Sequence, residues 1–452
     1  MKAYSEYSTT PLPWLQEIPA HWNLVRNKNI FQEVKDVVGQ NAKDYPLLSL
    51  TTKGIILRDI ASGKGKFPKD FDTYKIVRKG DMAFCLFDID ETPRTVGLSE
   101  YEGMLTGAYT IFHVSSINAR YAYYYYLALD NVKAMRPLYS GLRKTINTGT
   151  FLGTKLPVPP RDEQDQIVRF LDWKVSMVNR LINTKRREIQ TIASMQRSMI
   201  NKTVTAGLDS NVQTQFSGNK FLGDIPVHWR AVPLVSIAKE KSICNCTDLQ
   251  LMSVYLEEGV IPFSQKEEKR TNATSKDLSK YQRVDPGDFV LNNQQAWRGS
   301  VGVAFGTGIV SPAYIVLSMD NTLNHEYANF LLRSRGMVDQ YLIISRGVGS
   351  IQRNIYWSSL KRVIVPIPPK DEQEKIVAYL KQIVQKMRDT ISCLLEETEA
   401  LEEYKKKIVS DVVTGKIDVR NVEIPEYEFV DEEADADSDS DDGSDDTEEQ
   451  EE

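Results

Sequence analysis

The phrase PVPPRDEQDQIV at residues 157–168 returns as PIPPKDEQEKIV at residues 366–377, displaced by 209 positions. A second pair precedes these phrases, with WLQEIPAHW at 14–22 and FLGDIPVHW at 221–229. Self-similarity at a fixed offset is the signature of an internal repeat. The chain therefore consists of two similar copies in tandem.

A long helix is predicted after each Pro-x-Pro-Pro phrase. Prolines end the strand-like run before it, and Asp162 and Asp371 are predicted as N-caps, with carboxylates three positions on. Apolar residues then recur in steps of three and four, which is typical of a coiled-coil seam. The seam consists of Val168, Leu171, Val175, Val178, Ile182 and Ile189 in the first copy, and Val377, Leu380, Val384, Met387, Ile391 and Leu394 in the second.

Two matched helices in one chain, each after its own globular part, are expected to pair as an antiparallel coiled coil. The alternative, in which each helix packs only on its own globular part, stays open at this point. Runs such as 45–50, 82–87 and 288–291 predict strands, and one helix is predicted in each copy, at 118–130 and 324–335. The tyrosines of residues 123–126 are expected to face the core rather than to stack on bases.

The fold class predicted is mixed α/β, with two strand-rich globular parts and two long helices related by an internal pseudo-twofold repeat. The globular parts are predicted at 1–156 and 209–365, and the helical regions at 157–208 and 366–422. Residues 423–452 form a low-complexity acidic tail that is predicted to be disordered.

The charge of the chain is unevenly distributed. The formal net charge is -6, but residues 423–452 carry 17 acidic and no basic side chains, which leaves residues 1–422 at +11. A basic folded part favours a nucleic-acid partner. The tail is expected to aid solubility, with competition against DNA for the basic surface as the sharper alternative.

Motifs for catalysis and for metal or cofactor binding are not found. The sequence has no phosphate loop of the G-x-x-x-x-G-K-[ST] type, no G-x-G-x-x-G opening a helix, and no paired cysteines at zinc spacing. The sequence therefore predicts no catalytic residue, no metal and no cofactor in this chain. No apolar run reaches about 18 residues, and a cytoplasmic protein is expected.

Two similar basic domains on a helical spacer suit a DNA duplex that presents two half-sites. Arginine can bond guanine and asparagine or glutamine can bond adenine, so polar loops where the copies diverge are candidates for reading bases. These candidates are Arg94 in the first copy and Asn292, Asn293, Gln294, Gln295 and Arg298 in the second. Phosphate contacts are expected from Arg143, Lys144, Gln352 and Arg353.

The duplicated P-[VI]-P-P-x-D-E-Q-x-x-I-V phrase, the I-P-x-H-W entry and the VTGKIDVR exit at 413–420 resemble the specificity subunit of type I restriction-modification systems. The resemblance covers residues 10–422. It implies two target recognition domains that each read half of a bipartite DNA sequence, with helices that set the spacer. One departure is the first copy's exit, which reads VTAGL at 204–208 instead.

The resemblance also implies the partners. Two modification subunits would use S-adenosylmethionine to methylate adenine, and a restriction subunit would use ATP and magnesium to translocate and cleave DNA. Two other hypotheses remain: a non-catalytic coiled-coil scaffold with general nucleic-acid binding, and a self-sufficient DNA enzyme.

Overall fold

The computed structural model describes residues 2–58, 71–142, 144–256, 258–265, 277–348 and 352–432. The chain divides into two compact units. Unit 1 comprises Met1–Arg187 and Leu394–Glu452, and unit 2 comprises Glu188–Cys393. Each unit holds one globular part and a portion of both long helices. The compact units are therefore a different division from the linear domain boundaries expected from the sequence, and those boundaries stay predictions.

Unit 1 contains twelve strands and two helices in its described globular part. The strands are β1 (Tyr7–Leu12), β2 (Leu15–Pro19), β3 (Asn23–Arg26), β4 (Phe31–Val34), β5 (Leu48–Thr51), β6 (Gly54–Leu57), β7 (Lys75–Val77), β8 (Met82–Phe84), β9 (Val96–Leu98), β10 (Gly103–Leu105), β11 (Thr110–Val114) and β12 (Lys155–Val158). The helices are α1 (Ala119–Asn131) and α2 (Thr148–Gly153). The largest sheet is antiparallel, in the order β4-β11-β8-β9, and β12 pairs with β3.

The first long helix, α3 (Arg161–Ala206), leads into unit 2. The strands of unit 2 are β13 (Thr214–Phe216), β14 (Asp224–Pro226), β15 (Arg230–Pro233), β16 (Ala238–Glu240), β17 (Met252–Tyr255), β18 (Gly259–Pro262), β19 (Gln282–Val284), β20 (Phe289–Asn292), β21 (Val301–Val303), β22 (Gly308–Val310), β23 (Tyr314–Met319), β24 (Arg346–Val348), β25 (Gln352–Asn354) and β26 (Ile364–Ile367). Its helices are α4 (His325–Leu332), α5 (Arg335–Ile344) and α6 (Trp357–Leu360), and α7 (Lys370–Val413) is the second long helix.

The duplication is visible in the sheets. The sheet β16-β23-β20-β21 repeats the order of β4-β11-β8-β9, and β15 pairs with β26 as β3 does with β12. The helix predicted at 118–130 is α1, in which Tyr124, Tyr125 and Tyr126 are buried in the core as expected, whereas Tyr123 is only half-buried. The helix predicted at 324–335 is wrong in extent, because α4 ends at Leu332 and α5 begins only at Arg335. Ser334 separates them in an extended conformation.

The predicted N-caps are wrong by position. Helix α3 begins at Arg161 and α7 at Lys370, so Asp162 and Asp371 lie within the first turn. The backbone carbonyl of Pro160 already accepts hydrogen bonds from Glu163 and Gln164. Pro160 lies directly before α3, where the fixed φ angle of proline and its missing N–H do not destabilise the helix. The carboxylates of the first turn still interact favourably with the positive end of the helix dipole.

The two long helices run antiparallel inside each unit. In unit 1, Val168 and Leu171 near the start of α3 share a core with Val412 near the end of α7. In unit 2, Val204 near the end of α3 shares a core with Val377 near the start of α7. The seam residues of both helices are buried or half-buried, as a paired seam requires.

The start of the acidic tail departs from the prediction of disorder. Residues 423–432, named here the C-terminal strap, lie along α3 within unit 1. Asn179 and Asn183 donate to the backbone carbonyls of Val430 and Asp431 at 3.1 and 2.9 Å. The strap includes apolar residues that the acidic composition of the whole tail conceals, namely Ile424, Tyr427, Phe429 and Val430. Residues 433–452 lie outside the described residues.

Candidate nucleic-acid interface

The Glu of the repeated Asp-Glu-Gln motif ties each globular part to its long helix. In unit 1 the buried carboxylate of Glu163 accepts hydrogen bonds from the Tyr4 hydroxyl at 2.6 Å and from Trp22 Nε1 at 3.0 Å. His21 Nε2 lies 2.7 Å from the same carboxylate. Burial, and then the hydrogen bond to Glu163, raise the pKa of Tyr4, so its hydroxyl stays a neutral donor.

Unit 2 builds the same arrangement from the second copy. Trp229 Nε1 and His228 Nε2 lie 3.0 and 2.8 Å from the carboxylate of Glu372. The Ile-Pro-x-His-Trp phrase therefore pairs with the Asp-Glu-Gln phrase in both copies. This explains why the two phrases repeat together.

The Gln of the motif positions the helix of the globular part. Gln164 Oε1 accepts the backbone N–H of Asn118 at 2.8 Å, and Gln373 Oε1 accepts that of Asn324 at 2.7 Å. Asn118 and Asn324 cap α1 and α4 through their side chains. The motif thus ties the long helix both to the Ile-Pro-x-His-Trp phrase and to the helix of the globular part.

The first candidate loop of unit 2 connects β20 to β21. The Asn292 carbonyl accepts the N–H of Gln295 at 3.0 Å, and the Asn292 side chain accepts that of Gln294 at 3.2 Å. A short 3-10 turn, Ala296–Arg298, follows and ends at Gly299 with φ +107°, a conformation that favours glycine. The turn leaves Gln294 and Arg298 exposed.

The second candidate loop of unit 2, which contains Gln352 and Arg353, is hydrogen-bonded to the first. The backbone N–H of Ile355, just after β25, donates to the carbonyl of Asn293 at 3.0 Å. Arg353 is held from the other side, because its Nε donates to Ser345 Oγ at 2.9 Å. Of Gln352 the structure describes only its place in strand β25. The two loops that the sequence singled out separately are therefore neighbours.

Trp297, in the turn of the first loop, contacts an arginine of each loop and is a residue that the sequence did not single out. The guanidinium carbons of Arg298 and Arg353 lie 4.6 and 5.9 Å from the centre of the Trp297 ring. Its indole N–H donates to the carbonyl of Gln294 at 2.9 Å. The signal was an aromatic residue directly beside an arginine in a polar loop.

Arg94, the candidate arginine of unit 1, has different contacts from Arg298 in unit 2. Arg94 Nη1 lies 3.2 Å from Asp130 Oδ2 and 3.0 Å from Asn131 Oδ1, and only 19% of its side chain is exposed. The buried Asp130 also accepts the Thr95 backbone N–H at 3.0 Å. These contacts are those of a residue that stabilises the loop, and a base-reading role for Arg94 stays a prediction.

Lys144 is likewise bound to carboxylates of its own unit. Its Nζ lies 3.3 Å from Asp90, to which Arg136 Nε also donates at 3.0 Å. Desolvation raises the pKa of the Asp90 carboxyl, but the hydrogen bonds from Arg136 and Lys144 outweigh it and hold the pKa below its ordinary value. Arg143 lies outside the described residues. The phosphate contacts expected of Arg143 and Lys144 stay predictions.

The described part of the chain contains neither a metal-binding cluster nor a helix that could span a membrane. No group of three or more His, Cys, Asp or Glu side chains there is arranged to hold a metal ion. No helix among the described residues has the length and apolarity to cross a bilayer.

The chain is thus a duplicated protein, with two similar globular parts that each have their own polar loops and are tied to an antiparallel pair of helices. The family model of the type I restriction modification DNA specificity domain matches residues 64–191 and 227–397, and the chain belongs to that family. Its function is DNA sequence specificity in a type I restriction-modification system.

Relatives agree with this assignment. A protein of Methanocaldococcus jannaschii assigned as the specificity subunit of type I restriction enzyme MjaX is 25% identical over 89% of this chain and 95% of its own length. The specificity subunit of type I restriction enzyme MjaVIII from the same organism is 26% identical over 60% of this chain and 64% of its own length.

A solved structure shares the fold. A chain from a structural study of complex assembly and conformational transition of the type I R-M system matches with a TM-score of 0.55 and 16% identity. It covers 88% of this chain and 99% of its own. The likeness shows that the duplicated architecture is that of a known fold.

Proposed function

We propose that the chain is the non-catalytic DNA-recognition subunit of its complex, and that each globular part is a target recognition domain for one half of a bipartite DNA sequence. The duplication of the sheet order supports two similar recognition domains. The divergence of the loops at one topological position supports different half-site sequences, because β8–β9 and β20–β21 are connected by unlike side chains.

The observation that carries the proposal is the joined pair of loops in unit 2. Amide and guanidinium side chains that suit adenine and guanine stand on one rigid turn, with Arg353 of the second loop beside them. A turn fixed by backbone hydrogen bonds can present its side chains to base edges in one register.

We further propose the partners and their cofactors. The long helices set the spacer between half-sites and dock two methyltransferase subunits that methylate adenine, and a restriction subunit joins the same complex. S-adenosylmethionine, ATP and magnesium belong to those partners. The relatives' names as type I restriction enzyme specificity subunits support this assignment. The complex acts in the cytoplasm, where its genomic DNA target lies.

The test is to co-express the chain with the methyltransferase subunit encoded beside it and to map methylated adenines across the host DNA by single-molecule sequencing. We expect a bipartite motif with a fixed gap. Substituting the loops of one unit should alter one half of the motif and leave the other half unchanged.

A second measurement separates specificity from general attraction. Binding of the chain to DNA should depend on sequence at moderate salt. Equal affinity for all sequences with a steep salt dependence, and methylation that does not need this chain, would favour a scaffold with general nucleic-acid binding.

A further inference from the structure

We propose that Trp297 is a positioning residue that sets the base preference of unit 2 by holding Arg298 and Arg353 in one fixed arrangement. The inference rests on the proposed function of the loops and adds the residue through which the two loops act together.

The Trp297 ring is itself fixed. Its backbone lies in the 3-10 turn Ala296–Arg298, and its indole N–H is bonded to the Gln294 carbonyl at 2.9 Å. With the backbone and the far end of the side chain both held, the ring has little freedom to rotate. It therefore offers a rigid surface within a loop.

Two guanidinium groups from separate loops lie close to that ring. Arg298 and Arg353 are 55 positions apart in the sequence, yet both lie within the distance of about 6 Å at which a cation is attracted to a ring face. The electron-rich ring attracts both cations. Trp297 is thus a contact that the arginines of the two loops have in common.

The consequence for recognition is preorganisation. A free arginine side chain loses rotamer entropy when it binds, which lowers its contribution to affinity. An arginine already packed on a ring loses less, and it reaches a base edge at a defined angle. Discrimination between bases depends on that angle, because the wrong base offers its acceptors in another place.

In unit 1 the equivalent connection, between β8 and β9, holds its arginine by a different contact. There Arg94 is held by the carboxylate of Asp130 rather than by a ring. Loss of the Trp297 ring is therefore expected to affect only the half-site that unit 2 reads.

The experiment compares Trp297→Phe, Trp297→Leu and the control Phe305→Leu in the full chain, co-expressed with the methyltransferase subunit. Phe305 is an exposed aromatic residue of the same unit, placed beyond the opposite end of β21 from the loop. Base preference in each half-site is read from the methylated adenines, and the melting temperature of each purified variant is measured.

We expect Trp297→Leu to lower discrimination about tenfold in one half-site only, the size of effect carried by one bidentate base contact. Trp297→Phe keeps a ring face but loses the indole N–H bond to Gln294, so its discrimination should lie between those of the Leu variant and the unaltered chain. The control should match the unaltered chain, and the melting temperatures should agree. In a chain that already carries Arg298→Ala and Arg353→Ala, Trp297→Leu should have no further effect.

Unchanged discrimination in Trp297→Leu would overturn the inference, as would equal loss in both half-sites or a further loss in the arginine-free background. A Phe variant as impaired as the Leu variant would also overturn it, because the ring face would then not be the active feature. The proposed function fails separately, if the unaltered chain directs no bipartite motif at all.

Discussion

The indole nitrogen of Trp22 lies 3.0 Å from the carboxylate of Glu163, and the second copy repeats this relationship at the same distance between Trp229 and Glu372. The two sites differ in burial, since 5% of the Glu163 side chain is exposed against 22% of Glu372. The first site also has the additional donor Tyr4. Removal of Glu163 would leave two buried donors, Tyr4 and Trp22, without their acceptor, whereas removal of Glu372 would leave one, Trp229.

Glu163→Ala should therefore destabilise unit 1 by about 2–4 kcal/mol, and Glu372→Ala should destabilise unit 2 by about half of that. Hydrogen exchange followed by mass spectrometry resolves the two units by their peptides and checks both values. Equal effects at the two sites would contradict the role assigned to the number of buried donors.

Arg298→Ala should relax base preference in one half-site and leave the melting temperature unchanged, because the side chain is exposed and lies on the loop surface. The expected loss of discrimination is about 1–3 kcal/mol at one position. Methylation mapping checks it. Equal weakening on all sequences would instead assign Arg298 to phosphate contact.

Arg94→Ala should behave in the opposite way. Its loss leaves the buried Asp130 carboxylate with fewer partners, and we expect unit 1 to lose about 1–3 kcal/mol of stability. Thermal unfolding of the variant, with Arg298→Ala as the matched control, checks this. A relaxed half-site at unchanged stability would restore Arg94 as a base reader.

The C-terminal strap should loosen in acid. Glu432 lies 2.9 Å from Arg186 of α3 and also pairs with Lys405 of α7. Desolvation raises the pKa of Glu432, but the hydrogen bond and charge of Lys405 and the charge of Arg186 outweigh it, so the pKa is lowered. A carboxyl with a lowered folded-state pKa stabilises above its unfolded pKa and loses that contribution as the pH falls through the folded value.

Protection of residues 423–432 from hydrogen exchange should therefore fall as the pH drops below about 4, near the ordinary glutamate pKa. Glu432→Gln should be less protected at neutral pH and should lose this pH dependence. Asp431→Asn is the control, because the structure uses the Asp431 backbone carbonyl and not its carboxylate to hold α3. An unchanged pH profile in Glu432→Gln would contradict the prediction.

The sequence alone predicted the duplication, the strand-rich domains and the antiparallel helices. Those features depend on repeated phrases and on apolar periodicity, which are properties of the chain itself. The break between α4 and α5 was not predictable in the same way, since the sequence of residues 324–335 is typical of one helix and only the extended backbone at Ser334 divides it.

The composition of the sequence indicated which loops are polar, but it did not indicate which contacts their side chains make. Arg94 and Arg298 look alike in the sequence, and only the folded chain shows one facing Asp130 and the other facing Trp297. The strap was concealed for a related reason, because its few apolar residues were averaged with an acidic tail.

The two long helices, which both units share, also determine the order in which the units can complete their folding as the chain is synthesised. Unit 2 is one uninterrupted stretch, Glu188–Cys393, whereas the core of unit 1 includes Ile408, Val412 and Val419 from the far end of the chain. At about 5–20 residues per second, the ribosome needs roughly 10–40 s to make the intervening stretch. The first domain to be translated is therefore the last to close its core, and part of its apolar surface stays uncovered until the final helix emerges.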